Sequence, residues 1–314
     1  MPPSLRALLD GLIDYAGLFP PATLPLDDAA ARYARYRSGP DAWMLGRFIL
    51  PAARLGELTP HLGRFATGTP LRLSVIAPSA EALPEAVAAA RRFEAEHRGL
   101  VVADRFEARL APDVVTDHAR LDAAIDRFEA AAAREHGEGD RAFLEVPITG
   151  VGWRPVLEAA AAAVAGHNER AGRQATGLKL RLGGEEAAAF PAIPDVAEAI
   201  VALRDVGAPF KATAGLHHPT RTPAPEYGAV MHGFVNVFGA AVLAHARGLN
   251  PEAVARVLGE ERIERFLFDD DGIAWNGYGA NTREVALARA TFCTSYGSCS
   301  FDEPREDLRA ASLL

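Results

Sequence analysis

Residues 177–214 read GLKLRLGGEEAAAFPAIPDVAEAIVALRDVGAPFKATA. Two short runs that suit strands, Gly177–Leu182 and Phe210–Ala214, enclose a helical stretch at 185–206. Side chains alternate along a strand, so each run has two faces. Leu178, Leu180 and Leu182 oppose Lys179 and Arg181, and Phe210, Ala212 and Ala214 oppose Lys211 and Thr213. A strand, a helix and a second strand at this spacing predict two parallel neighbours joined by a crossover. The two lysines then stand on adjacent strands about 4.8 Å apart.

The same alternation extends in both directions. Strand-like runs are expected at Leu12–Ala16, Leu45–Leu50, Leu71–Ile76, Arg105–Leu110, Phe143–Ile148 and Gly233–Phe238 besides the two above. Helices are expected at 26–37, 53–65, 79–97, 117–136, 153–171, 185–206, 220–230 and 240–248. Eight such units close naturally into a barrel. An open doubly wound sheet would announce itself with GxGxxG after its first strand, but the turn here is Gly17-Leu18-Phe19-Pro20-Pro21. The expectation is an α/β chain forming one domain overall. A (β/α)8 TIM barrel would span residues 1–248, with a C-terminal extension, 249–314, packed on it as a lid or oligomer contact. That extension carries helical stretches at 251–260 and 281–291, the patch RFLFDDDGIAW, and an ordered loop in TSYGSCSFDEPREDL placed near the barrel mouth.

Composition narrows the class. The 314 residues are 49% hydrophobic and 24% charged, which excludes disordered, collagen-like and disulfide-scaffold chains. A net charge of −8 and a pI near 5.6 argue against a nucleic-acid partner. No apolar run approaches the ~20 residues of a membrane span. The segment MPPSLRALLDGLIDYAG carries Asp10 and Asp14 and lacks a basic stretch leading an apolar one, so no secretory signal is expected. Cys293 and Cys299 are too few for a disulfide framework and are expected to be free, buried or in a lid, in a reducing cytoplasm. An acidic barrel with an added tail is compatible with a homo-oligomer.

Of the 33 basic residues, 31 are arginine, and the only lysines are Lys179 and Lys211. Arginine replaces lysine readily on a solvated surface but not where a primary amine is needed, because guanidinium stays protonated and forms no imine. The apolar strand faces must meet the helices, which leaves Asp14, Arg47, Ser74, Arg105, Glu107, Arg109, Glu145, Arg181, Thr213 and Asn236 inside the ring with the lysines. Structural ion pairs are the alternative role for Glu107, Arg109 and Arg47. Two ammonium groups held close repel, which is expected to favour the neutral amine. Glu107, Glu145 or Asp14 would then move protons during imine formation.

The segments LIDYAGLFPPAT, GRFILP, GLKLRLGG and PFKATAGLHHP, in this order, resemble class I aldolases of the deoxyribose-phosphate aldolase type. The resemblance covers residues 12–245 in pattern. It implies that Lys179 forms the imine and that Lys211 tunes it. It also implies phosphate binding at glycine-bearing turns after the seventh and eighth strands, which map to Gly215 and Gly239. The chain departs from that family where Leu180-Arg181-Leu182-Gly183-Gly184 stands in place of a Thr-Ser-Thr run, where one glycine follows Ala214, and where Glu107 stands for an aspartate.

Other groups allow other chemistry. His217 and His218, with His232 as a third, would ligate a divalent metal alongside the carboxylates. Arg47, Arg109, Arg181 and Arg221 suit an anionic substrate, a sugar phosphate or a keto acid. The glycines at 183 and 184 precede a helix start that could hold an anion, although Glu185 and Glu186 oppose it. The expected function is a cofactor-independent, Schiff-base-forming carbon–carbon lyase using Lys179, Lys211, Glu107, Glu145 and Asp14. Substrate contacts are expected from Arg47, Arg109, Arg181, Thr213, Gly215, His217, Asn236 and Gly239. The alternatives are a metal-dependent lyase or isomerase on the same fold, using His217 and His218, and a non-catalytic barrel that binds a sugar phosphate.

Overall fold

Apolar strand faces and alanine-rich helix stripes meet in one continuous core in the computed structural model. It describes residues 1–65, 68–111, 114, 117–133 and 139–314, without the side chains of 118 and 133. Seven strands follow one another: β1 (Ile13–Tyr15), β2 (Leu45–Pro51), β3 (Leu71–Ile76), β4 (Val101–Arg109), β5 (Arg141–Val146), β6 (Thr176–Arg181) and β7 (Phe210–Thr213). Two short strands, β8 (Thr222–Ala224) and β9 (Ala229–Met231), form a separate hairpin, and β10 (Phe266–Phe268), β11 (Gly272–Trp275) and β12 (Tyr278–Asn281) form a small antiparallel sheet. The ring is completed by β13 (Cys293–Ser298), which pairs in parallel with both β1 and β7. The result is a closed parallel barrel in the order β1-β13-β7-β6-β5-β4-β3-β2, a (β/α)8 fold.

The helices are α1 (Pro3–Leu9), α2 (Leu26–Arg37), α3 (Leu83–Glu96), α4 (His118–Ala133), α5 (Trp153–Ala171), α6 (Ile193–Val206), α7 (Phe234–Arg247), α8 (Pro251–Leu258), α9 (Thr282–Thr291) and α10 (Asp302–Ala310). Leu178 and Leu180 of β6, and Leu182 just past its end, are fully buried on the helix side, as the period-two split requires. Each such burial contributes about 1.5–3 kcal/mol. Inside the ring, Gly177 makes room for an aromatic neighbour, since a Cβ there would lie 2.7 Å from Phe143 Cε1.

The eighth strand is where the fold departs from expectation. Gly233–Phe238 is not a strand: Phe234 opens α7, whose residues 234–244 are buried without exception. A wholly buried run shows no amphipathic period, so strand and helix look alike by pattern and only its length decides. The strand that closes the ring is TSYGS with its flanking Cys293, small and polar letters that read as loop. The division at 248 is therefore corrected. The barrel takes its last strand and the helix after it, α10, from residues placed in the extension, and only α8, the small sheet and α9 intervene. An Asn281–Glu284 capping box starts α9, which leads the chain back into the ring.

Smaller corrections concern local winding. Residues 220–230 form the β8–β9 hairpin instead of a helix, and 53–65 wind as a 3-10 stretch, Ala52–Phe65. Pro194 stands in the first turn of α6, so regular helix begins at Ile193 and not at 185. The expected helix end at 134–136 lies outside the described residues. Among the described residues, no helix is long and apolar enough to cross a membrane.

Candidate active site

The strand register sets the site. Arg109 stands opposite Glu145, Glu145 opposite Lys179, and Lys179 opposite Lys211 on four successive strands. A carboxylate stands between each cation and the next. Glu145 Oε2 lies 2.7 Å from Lys179 Nζ, which donates to Glu107 Oε2 at 2.9 Å. Lys211 Nζ donates to the other oxygen of Glu107 at 2.6 Å and to Asp14 Oδ2 at 2.8 Å. Ser74 Oγ donates to Glu107 Oε1 at 2.6 Å and Ser295 Oγ to Asp14 Oδ2 at 2.8 Å, so the carboxylate lone pairs are well used. The five residues expected to carry catalysis are thus brought together from β1, β4, β5, β6 and β7.

Asp14 is held tightly from below. The backbone N–H of Arg47 donates to its Oδ1 at 2.7 Å. Gly46 permits that approach: a Cβ at this position would stand 2.3 Å from the same oxygen.

Above this line lies a cavity of about 500 Å³. Lys179, Glu107 and Glu145 reach it, while Asp14 and Lys211 lie beneath. Lys179 is therefore the amine that a substrate in the cavity would meet. Arg109, Arg181, Thr213, Gly215 and His217 also line it. Arg181 Nε donates to Glu145 Oε1 at 2.9 Å and Arg109 Nε lies 3.4 Å from that oxygen. The Arg109 side chain is 73% exposed, which leaves most of its donors free for an anion. The turn after β7 holds Ala214 and Gly215 at φ +64° and +69°, and Gly215 packs on Gly183, where a Cβ would meet Gly215 Cα at 2.8 Å.

The electrostatics correct one expectation. Burial opposes charge on Lys179, but Glu107 and Glu145 outweigh it and hold the ammonium above the usual lysine range. Repulsion between the lysines does not decide the matter because Glu107 stands between them. Burial would raise the Glu107 carboxyl, yet Lys179 and Lys211 hold it well below the usual range. Glu145 is lowered in the same way, against burial, by Lys179 and Arg181.

Three expected substrate contacts lie elsewhere. Arg47 turns its guanidinium away from the cavity to Asp104, with Nε 2.6 Å from Oδ1, because it enters β2 too early to reach the mouth. Asn236 sits in α7, where its Nδ2 donates to the carbonyls of Val257 and Glu260 at 2.8 Å. Gly239 is also in α7, packed near Phe266, and forms no phosphate-binding turn. Either could reach the interior only if Gly233–Phe238 were a strand. Arg221 does not line the cavity.

The histidines diverge as well. His217 Nδ1 is 2.9 Å from Glu303 Oε2, His218 Nδ1 is 2.7 Å from Asp307 Oδ2, and His232 Nε2 is 2.8 Å from the Pro191 carbonyl oxygen. Among the described residues, no three His, Cys, Asp or Glu side chains converge as a metal site would require. The residues that sequence reasoning missed come from β13 and the turn after it. Ser295 supports Asp14, while Gly297 and Cys299 line the cavity. Alternation in Cys293–Ser298 (Ser295 and Gly297 inward, Tyr296 outward on Phe234) was the available signal. Compared with known proteins, the chain matches no family model and no curated protein.

Proposed function

We propose that this protein is an aldolase-like lyase that forms a Schiff base between Lys179 and a small anionic carbonyl compound, such as a sugar phosphate or keto acid. The observation that carries the reading is the placement of Lys179. It is the one of the chain's two lysines that reaches the cavity, with a carboxylate on either side.

Lys179 rests as an ammonium and must lose a proton before it can attack. Glu145, in contact with its Nζ and open to the cavity, is placed to accept it. A substrate that excludes water strips solvent from the ion pair and brings the neutral amine–acid pair closer in energy. The amine nitrogen then bonds to the carbonyl carbon, and the carbonyl oxygen takes the proton back. A second proton transfer releases that oxygen as water and leaves an iminium. Cleavage of the adjacent carbon–carbon bond sends its electron pair toward the iminium as the base removes the proton of the substrate hydroxyl. Protonation of the resulting enamine and hydrolysis free the amine. Lys211 keeps Glu107 ionised throughout, and the exposed fork of Arg109 suits the anionic end of the substrate.

Borohydride reduction in the presence of acetaldehyde or pyruvate tests this directly. The expected result is a stable mass increase on the peptide containing Lys179, with a yield that rises toward alkaline pH as the ammonium is titrated. Absence of an adduct on that peptide with either compound across that pH range would end the reading.

A further inference from the structure

The cavity mouth carries a second nucleophile. Cys299 follows β13 and His217 follows β7, and both line the cavity. Cys299 Sγ lies 3.9 Å from His217 Nε2, and Nδ1 of the same ring is 2.9 Å from Glu303 Oε2. A thiol, an imidazole and a carboxylate in line form the arrangement that activates a weak nucleophile. The other cysteine provides the contrast. Cys293 is fully buried, and burial pushes its thiol up to about 12.

The charged groups beside Cys299 are His217 and, through it, Glu303. Burial opposes a charged His217, but Cys299 and Glu303 outweigh it and hold the imidazolium up to about 10. The hydrogen bond from His217 keeps Glu303 below the usual carboxylate range. The other titratable neighbours are Tyr15 from β1 and Tyr227 beside the β8–β9 hairpin, both raised by burial and therefore neutral, with Asp302 and Glu185 farther out on these tyrosines. The imidazolium is the cation in contact with the thiol.

We propose that Cys299, His217 and Glu303 form a thiol–imidazole–carboxylate centre that captures an aldehyde in the cavity as a hemithioacetal, independently of Lys179. The ligand class rests on the carbonyl chemistry proposed above for the same cavity. As the sulfur bonds to the carbonyl carbon, the C=O π pair moves onto oxygen, the thiol proton leaves by way of His217 Nε2, and the alkoxide takes a proton from the same nitrogen. The imidazole ends as it began, nothing is oxidised or reduced, and reversal regenerates the thiol. An aldehyde so held sits at the rim of the cavity whose floor presents Lys179.

Iodoacetamide alkylation at pH 6.5, read by mass on the two cysteine peptides, tests the proposal. Cys299 is expected to react at least about tenfold faster than free cysteine, because His217 beside it draws off the thiol proton as the sulfur attacks, while Cys293 stays inert. His217→Asn should remove that advantage. Glu303→Gln, at an exposed position that leaves the fold undisturbed, should give an intermediate rate. Millimolar propanal should slow alkylation of Cys299 several-fold and reversibly, and should do so equally in Lys179→Arg, which cannot form an imine. A Cys299 no faster than free cysteine, a rate unmoved by both His217→Asn and Glu303→Gln, or protection that vanishes in Lys179→Arg would each overturn it.

Discussion

The barrel interior holds two clusters of buried charge, and they differ in kind. Toward the N-terminal ends of the strands, Asp104 is gripped by Arg47 through Nε at 2.6 Å and Nη2 at 2.9 Å, and by Arg72, with Arg105 at 3.6 Å. Burial would raise this carboxyl, yet the guanidiniums hold it well below the usual range. Toward the C-terminal ends, Glu107 is gripped by two lysines and Glu145 by a lysine and an arginine. Both clusters satisfy buried charge by pairing. Only the upper one contains primary amines, the kind of cation that can form an imine, and only there does one of them face a cavity. Charge pairing alone is architecture; an ionisable amine within reach of a ligand adds chemistry.

Exchanging the cation types is the strongest test of that distinction. Lys179→Arg keeps a positive charge between Glu107 and Glu145, yet borohydride trapping on that peptide should vanish and any turnover fall on the order of a thousandfold or more. Arg47→Lys, on the floor, should leave the Lys179 adduct in place. Mass mapping of both proteins reads the outcome, and a trapped adduct elsewhere in Lys179→Arg would blur the contrast fatally.

Removing the central carboxylate should come next in size. Glu107→Gln leaves two buried ammonium groups facing each other and should cost about 3–5 kcal/mol in urea unfolding. The folded Glu107 carboxyl titrates below its ordinary range. Its contribution is therefore present above the unfolded value of about 4.3 and is lost as pH falls through the folded one. The stability gap between the native protein and Glu107→Gln should accordingly narrow on acidification. With the carboxylate gone, Lys179 should also lose its proton more easily and trapping should shift to lower pH. Asp104→Asn should destabilise comparably and leave the trapping profile where it was.

The smallest effect concerns the turn over the site. Ala214 at φ +64° occupies the left-handed region at a steric cost of about 1–2 kcal/mol. Ala214→Gly should relieve part of it, raising stability by about 1 kcal/mol or less once the greater freedom of the unfolded glycine is counted. A loss of stability would show that the strain is already compensated by packing on the neighbouring turn.

Much of the site was readable because period two and one strand–helix–strand spacing suffice to place side chains on a face. Lys179, Lys211, Glu107, Glu145 and Asp14 all point inward, as that argument requires. What periodicity cannot give is height along the barrel axis. Arg47 shares the inward face and still ends at the floor, whereas Arg181 and Arg109 reach the mouth from the last residues of their strands. Nor does it reveal which cations a carboxylate will stand between, so the sequence points to a neutral amine where the structure holds an ammonium. The closing strand was hidden for a separate reason. Ser295 and Gly297 carry no strand propensity, and Cys293–Ser298 is extended because β1 and β7 supply partners on both sides.

The distance along the chain between Asp14 and Ser295, 281 residues joined by one hydrogen bond, bears on assembly. The first strand has β2 as an early neighbour, but its other edge waits until β13 has been synthesised. Such remote contacts are slow to form because the loop they close must be ordered first. Until then Asp14 lacks both its serine and a closed wall, so a nascent chain halted short of residue 298 would possess both amines without the enclosure around them.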